Sequence, residues 1–276
     1  MGTPDTARSA ADRVWAALPD RARSVLAEQL SPTDLQTLLL DLVRSRAARV
    51  DPARLMRRWV EDRFVHPATV DPRRLARLVA RAWELLPAEF AGVELSPVAP
   101  LGTCAAVGPV DQNRIVSTVR GSEVVSDPTN LLALEAARRR RSGAEEVHLA
   151  AHHRVLRAQR FGPGFSAHFA LFALVSSGRD RGSRTTEVDF LGRHLATWRV
   201  LLDSTLGRDR WLVTYEDGSP YYAGLRFKII APTDDGPLEI GDGGLTTWTA
   251  QLCADAKERC LISCVSTERW LALLER

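Results

Sequence analysis

The segment Cys260-Leu-Ile-Ser-Cys-Val-Ser-Thr-Glu-Arg269 joins an apolar stretch to a short run of small polar residues and then to a helix start. The apolar and β-branched residues favour a buried strand, and the polar residues after it favour its end. This pattern places the guanidinium of Arg269 at the rim of a sheet, where its planar set of donors suits a phosphate group.

A second arginine, Arg157, lies in a similar context upstream. Residues 153–159 are predicted to form a strand, residues 160–168 a mobile loop, and residues 169–175 the returning strand of a hairpin. An arginine from each segment and an aromatic residue of the hairpin are therefore expected to bind one nucleotide together.

Composition sets the class of protein. The chain has 276 residues, of which 45% are hydrophobic and 26% charged, as in ordinary globular proteins. A net charge of +3 does not indicate nucleic acid as a partner of the whole chain. No apolar run approaches the roughly 20 residues that span a bilayer, and residues 1–8 lack a signal-peptide core. We therefore expect a cytoplasmic protein with no membrane partner, and four reduced cysteines.

The predicted secondary structure changes once along the chain. Up to about residue 86 it is predicted to be helical, with N-cap and first-turn proline pairs at Ser31-Pro, Asp51-Pro and Asp71-Pro. Strands are then predicted at residues 93–98, 107–110, 114–119, 146–156, 169–175, 211–215, 225–231 and 260–265, and helices at 127–142, 187–206 and 245–258. The fold class is α+β: an antiparallel β-sheet flanked by helices (residues 71–276), preceded by an N-terminal helical subdomain (residues 1–70).

The order of these motifs resembles the catalytic domain of class II aminoacyl-tRNA synthetases. It is most similar to the histidyl-tRNA synthetase branch and its paralogue, the regulatory subunit of ATP phosphoribosyltransferase. The resemblance runs from about Asp71 to the C-terminus. The helix from Pro72 and the segment Val93-Glu-Leu-Ser-Pro97 resemble the family's first motif, which implies a homodimer. No anticodon-binding domain follows Arg269, so an acceptor other than a standard tRNA is expected.

The resemblance implies roles for particular residues, with ATP and Mg²⁺ as cofactors. The implied catalytic residues are the two arginines that bind the phosphates, Arg157 and Arg269. The implied nucleotide-binding residues are Phe169, stacked under adenine, with Gln159, Arg160 and His168. The implied substrate-binding residues are Asp127, which holds the amino group, Thr129, Tyr221 and Tyr222, and the implied metal ligands are Glu239 and Asp242.

Several of these residues also have a simpler interpretation. Arg157 is also typical of an edge hairpin, Asp127 of a helix N-cap, and Gly241-Asp-Gly-Gly244 of an ordinary turn. Departures from the family pattern, such as apolar Leu171 on the returning strand, weaken the case for catalysis.

Three functions follow from the sequence. The first is ATP-dependent activation (adenylation) or ligation of an amino acid or related small carboxylate. The alternative is a non-catalytic paralogue that acts as a ligand-binding regulatory subunit. Nucleic-acid binding through Arg57, Arg58 and Arg63 is a third interpretation, although a solvated charged face explains these arginines as well.

Overall fold

The computed structural model describes residues 9–162 and 166–275. The chain divides into two compact units. The first contains the chain up to Arg58 together with Val119–Gly121, and the second contains Trp59–Thr118 and the chain from Ser122 onward. In the described parts of both, no helix is long and apolar enough to cross a membrane.

The first unit is helical. Its helices are α1 (Ala10–Ala16), α2 (Ala22–Ser24, continued by a π-helical turn, Val25–Gln29) and α3 (Pro32–Ala47), and α4 (Pro52–Glu61) begins in it. The predicted caps are confirmed. The Ser31 hydroxyl accepts a hydrogen bond from the Asp34 backbone N–H at 3.1 Å, and the Asp51 carboxylate accepts one from the Arg54 N–H at 2.8 Å.

The second unit contains the predicted antiparallel sheet. Its strands are β1 (Ala91–Gly92), β2 (Val98–Pro100), β3 (Ser122–Val124), β4 (Glu146–Leu156), β5 (His168–Arg179), β6 (Leu212–Glu216), β7 (Arg226–Thr233), β8 (Gly236–Thr246) and β9 (Glu258–Ser266). Among the described residues, seven strands form one sheet in the order β1-β4-β5-β9-β8-β7-β6, and β2 pairs with β3. Only the short β1–β4 pairing in that sheet is parallel.

Helices cover both faces of this sheet. They are α5 (Pro72–Leu85), α6 (Thr103–Val107), α7 (Pro128–Arg141), α8 (Thr185–Asp203), α9 (Trp248–Cys253) and α10 (Thr267–Leu274). Side chains alternate along β5, so Phe172 packs in the core with Trp198 of α8 and Trp270 of α10, whereas Ala173 packs on the other face with Trp248 of α9. The sheet is therefore the middle layer of three, and one face keeps room for a cleft.

Three predicted strands are wrong. Residues 107–110 are not a strand, because Val107 is the last residue of α6. Residues 114–119 contain only an isolated bridge at Ser117. Of residues 93–98, only Val98 lies in a strand. The start of α6 is fixed by a distant carboxylate: Glu123 accepts the N–H groups of Gly102 and Cys104 at 2.8 and 2.9 Å. Such a long-range cap leaves no local sequence signal.

The glycine-rich segment at 241–244 also differs from the expected turn, because it lies within strand β8. A Cβ atom on Gly243 would lie 2.5 Å from the Phe227 ring and 2.5 Å from Cβ of Ser263. Glycine is thus required here by close packing between neighbouring strands. The helix predicted at 245–258 is limited to α9, since β8 continues through Thr246 and β9 begins at Glu258.

Candidate functional site

Arg157 and Arg269 line the same cleft, which has a volume of about 750 Å³ and lies on the open part of the sheet. Arg157 follows the last residue of β4, and Arg269 lies in the first turn of α10, directly after β9. Strand β5 pairs with both β4 and β9, so it brings these two chain segments side by side. The convergence expected from the sequence is therefore present in the fold.

Three neighbours hold the Arg157 side chain in place. Its Nε donates to the Ser126 carbonyl at 2.9 Å, and its Nη2 lies 3.6 Å from Oδ2 of Asp127. The guanidinium lies 5.1 Å from the centre of the Phe169 ring, a cation–π contact. The side chain keeps 30% exposure, so it is oriented and still open to a ligand.

The Arg269 side chain is oriented by a hydrogen bond to strand β8. Its Nη1 donates to the carbonyl of Glu239 on β8. Burial lowers the pKa of the Arg269 guanidinium, and the positive charge of Arg157 lowers it further, although Glu239 acts in the opposite direction. Arg157 and Arg269 thus place two positive charges on one cleft, and an anion bound between them would reduce their mutual repulsion.

A smaller cavity of about 300 Å³ adjoins this cleft. It is lined by Asp127, Tyr221 and Tyr222, which were predicted to bind substrate, and by Gln159, which was predicted to bind the nucleotide. The two cavities have a common wall, which is formed by Arg157, Asp242 and Cys264. A ligand in the smaller cavity would therefore meet a ligand in the larger cleft at these three side chains.

Asp127 is the N-cap of α7, as the simpler interpretation of the sequence held. Its Oδ1 accepts from the Thr129 N–H at 3.0 Å and from the Thr129 hydroxyl at 2.7 Å. Its Oδ2 accepts from the Tyr221 hydroxyl at 3.1 Å. Thr129 is only 1% exposed and lines neither cavity, so it acts by holding Asp127.

Asp242 is held by two donors to one oxygen. Its Oδ2 accepts from the Tyr222 hydroxyl and from Nη2 of Arg226, each at 3.0 Å. Burial raises the pKa of the Asp242 carboxyl, and these two hydrogen bonds oppose that rise. Sequence reasoning gave Arg226 no role, although it closes the smaller cavity beside the tyrosine pair. The only available signal was its position four residues after Tyr222.

Glu239 lines the larger cleft, where Oε2 lies 3.5 Å from Nζ of Lys228. The described residues contain no group of three or more histidine, cysteine or acidic side chains arranged to hold a metal. Magnesium that binds together with phosphates needs only one or two protein carboxylates. Glu239, with 41% side-chain exposure, fits that requirement better than Asp242, which is paired with Arg226.

The last two predicted residues, His168 and Arg160, do not line the cleft. The His168 ring bridges Nη1 of Arg154, at 2.9 Å, and the carbonyl of His66, at 2.6 Å, and neither His168 nor Arg160 lines a cavity described above. Part of the predicted mobile loop, residues 163–165, lies outside the described residues.

Arg63 makes hydrogen bonds that the sequence did not indicate. Its guanidinium donates to the carbonyls of Ala158 and Gln159, with a distance of 2.8 Å to the latter. These carbonyls follow Arg157 at the base of the hairpin loop. The predicted solvated face is therefore wrong for Arg63, which anchors this loop.

No protein-family model matches the chain, and no curated protein matches it in sequence. Solved structures do match it. PylSc, a pyrrolysyl-tRNA synthetase of Desulfitobacterium hafniense, matches with a TM-score of 0.57 and 13% identity over 81% of this chain and 72% of that chain. An ATP phosphoribosyltransferase regulatory subunit/histidyl-tRNA synthetase of Bacillus halodurans matches with a TM-score of 0.59 and 9% identity, over 77% and 82%. The chain has a class II synthetase-like fold.

A further pyrrolysyl-tRNA synthetase structure from Desulfitobacterium hafniense agrees, with a TM-score of 0.57 and 14% identity over 81% of this chain and 75% of that chain. At such identities the likeness concerns the fold alone. The sequence predicted an antiparallel sheet flanked by helices, and the structure confirms this prediction. Cys264, which lines both cavities, packs against the core cluster that contains Leu132 of α7 and Trp248 of α9.

Proposed function

We propose that this protein uses ATP to activate an amino acid or a related small carboxylate, for transfer or ligation to an acceptor other than a standard tRNA. One observation carries the proposal: Arg157 and Arg269 line one cleft, and that cleft adjoins a smaller polar cavity. A volume of about 750 Å³ lies in the range of sites for nucleotide-sized ligands.

In this proposal the larger cleft binds ATP. The two arginines bind the phosphates, the Phe169 ring packs against adenine, and Glu239 contributes a carboxylate to magnesium. Bound magnesium would neutralise part of the phosphate charge. The substrate carboxylate attacks the α-phosphorus in line, an acyl-adenylate forms, and pyrophosphate leaves. Such a step needs positioned reactants and fixed positive charge rather than a general base.

A second function is supported by the hydrogen bonding of Asp127. Both of its oxygens already accept hydrogen bonds from Thr129 and Tyr221, and Arg157 is paired with it. These contacts leave Asp127 fewer acceptor sites for a substrate amine, which supports a non-catalytic paralogue that binds a small ligand as a regulatory subunit. Calorimetry separates the two proposals, because a regulator of this kind binds its ligand without binding ATP.

Exchange of labelled pyrophosphate into ATP tests the enzymatic proposal. We expect exchange that depends on a single amino acid or small carboxylate and on magnesium. Glu239→Gln should raise the magnesium concentration needed for half-maximal exchange, because one carboxylate ligand is lost. Asp189→Asn, which removes an exposed carboxylate paired with Arg181, is the matched control and should leave that concentration unchanged. Exchange with no amino acid or carboxylate would contradict adenylation.

We also propose an oligomeric state, a location and a domain division for the protein. We propose a homodimer through the family's first motif, which α5 resembles, and a cytoplasmic location. The division into an N-terminal helical subdomain, residues 1–70, and a catalytic domain, residues 71–276, belongs to the same proposal.

A further inference from the structure

Asp242 is the acidic side chain at the wall that the two cavities share, where it lies with Arg157 and Cys264. Its Oδ2 is occupied by Tyr222 and Arg226. In the described part of the chain, its Oδ1 has one donor nearby, the Cys264 thiol at 3.9 Å. A thiol is a weak donor, so this oxygen retains capacity for a strong one.

Asp127 offers no comparable capacity. Three donors already reach its two oxygens, at 2.7, 3.0 and 3.1 Å, and Arg157 lies 3.6 Å from Oδ2. One of these donors is the backbone N–H that Asp127 caps at the start of α7. A ligand ammonium at Asp127 would compete with these donors and with Arg157, whereas at Oδ1 of Asp242 it would meet only a weak thiol donor.

The chemistry of the proposed reaction locates the amino group. The reacting carboxylate must meet the α-phosphate where the two cavities join, close to Arg157. In an α-amino acid the nitrogen is separated from the carboxylate by a single carbon atom. The junction offers one cation, Arg157, for the carboxylate and one anion, Asp242, for an ammonium group.

We propose that Asp242, rather than Asp127, binds the α-ammonium group, and that the substrate is therefore an α-amino acid and not a simple carboxylate. This inference rests on the proposed function for the placement of the reacting carboxylate. The smaller cavity holds the side chain. Its volume of about 300 Å³ is at the low end for ligand sites, which suits one amino acid.

The charges around Asp242 support this assignment. Arg226 pairs with Asp242 and Glu216, and Lys228 pairs with Glu216 and Glu239. The charge of Arg226 is thus divided between two carboxylates, so Asp242 has no cation of its own and can also pair with an ammonium group.

The assignment also divides the two carboxylates that the sequence predicted as metal ligands. Arg226 lies 3.0 Å from Oδ2 of Asp242, so a divalent cation bound there would meet an adjacent guanidinium. Glu239, which is more exposed and lies on the wall of the larger cleft, remains available for magnesium. Each carboxylate then binds a different cation.

The test is calorimetric titration of the full chain, without ATP, with the twenty standard α-amino acids. The tightest binder is then compared with its des-amino carboxylate. We expect the wild-type protein to prefer the amino acid by about ten- to a hundredfold, the usual value of a hydrogen bond to a charged group. Asp242→Asn should lose that preference, because it weakens amino-acid binding and leaves binding of the des-amino carboxylate unchanged.

Two variants complete the design. Asp255→Asn also removes a carboxylate paired with an arginine, Arg179 at 2.8 Å, but Asp255 lines neither cavity, so both affinities should stay at wild-type values. Asp127→Asn preserves the helix cap and should retain the preference. Loss of the preference in Asp127→Asn alone would overturn the assignment and favour the residue that the sequence predicted.

The outcomes separate this inference from the proposed function. Equal affinity of the wild-type protein for the amino acid and its des-amino carboxylate overturns the inference, even if pyrophosphate exchange occurs with both. Binding by none of the twenty amino acids also overturns it. Selective amino-acid binding that depends on Asp242, without any pyrophosphate exchange, supports the inference and contradicts adenylation. The comparison of the two ligands on the wild-type protein does not depend on any variant.

Discussion

Replacement of Arg157 by alanine is expected to slow substrate-dependent pyrophosphate exchange by about a hundred- to a thousandfold, the usual cost of removing one fixed positive donor from a reacting group. Arg157 lies where both cavities meet, and Ser126 and Asp127 hold its guanidinium in place. The charge is therefore positioned before substrate arrives. Exchange rates at saturating ATP, with thermal unfolding as a check of folding, measure the effect.

Two further variants test whether the position of the charge matters. Arg157→Lys retains the charge but has no planar set of donors, so we expect an intermediate rate. Arg179→Ala removes an arginine that is 57% exposed and pairs with Asp255 away from both cavities, and it should exchange at the wild-type rate. Equal loss in Arg157→Ala and Arg179→Ala would mean that general destabilisation, and not the site, explains the result.

Arg140→Met is expected to lower the free energy of unfolding by about 3–5 kcal/mol, because it leaves a buried carboxylate without its partner. Arg140 contacts Glu258 through two hydrogen bonds, 2.6 and 2.9 Å long, and the side chains are only 10% and 5% exposed. Arg140 also donates to the carbonyls of Ala144 and Glu145. This cluster ties the C-terminal end of α7 to the sheet. Urea unfolding at neutral pH gives the measurement.

A second arginine of α7 provides the control for this prediction. Arg138 pairs with Glu135 on the exposed side of the same helix, and its side chain is 67% exposed. Arg138→Ala should leave stability nearly unchanged, because exposed ion pairs contribute little. The double variant Arg140→Met with Glu258→Leu should recover much of the loss, since no charge remains buried. A double variant as unstable as the single one would contradict this explanation.

Features with a local signal could be predicted from the sequence. The hairpin of β4 and β5 and the last strand, β9, follow from runs of apolar residues with turn residues at their ends. Serine or aspartate followed by proline marks the helix starts at Ser31 and Asp51, and the structure has caps at both. Arg157 was identified in a predicted strand beside the hairpin loop, and Arg269 was identified after the polar residues that end the last predicted strand.

Features set by distant contacts could not be predicted. The segment at 241–244 resembles a turn in sequence, and only the packing of Phe227 and Ser263 against Gly243 shows why glycine stands in a strand. The start of α6 depends on Glu123, 19 residues beyond Cys104. The pairing of Arg226 with Asp242 depends on the register of two strands, which local sequence does not encode.

A crystal structure of the protein with ATP and Mg²⁺ tests the central claim most directly, namely that one cleft holds a nucleoside triphosphate between two arginines. The proposal predicts phosphate oxygens within hydrogen-bond distance of both Arg157 and Arg269, and adenine packed on the Phe169 ring. A structure with ATP bound elsewhere, or with the cleft empty at saturating ATP, would contradict it.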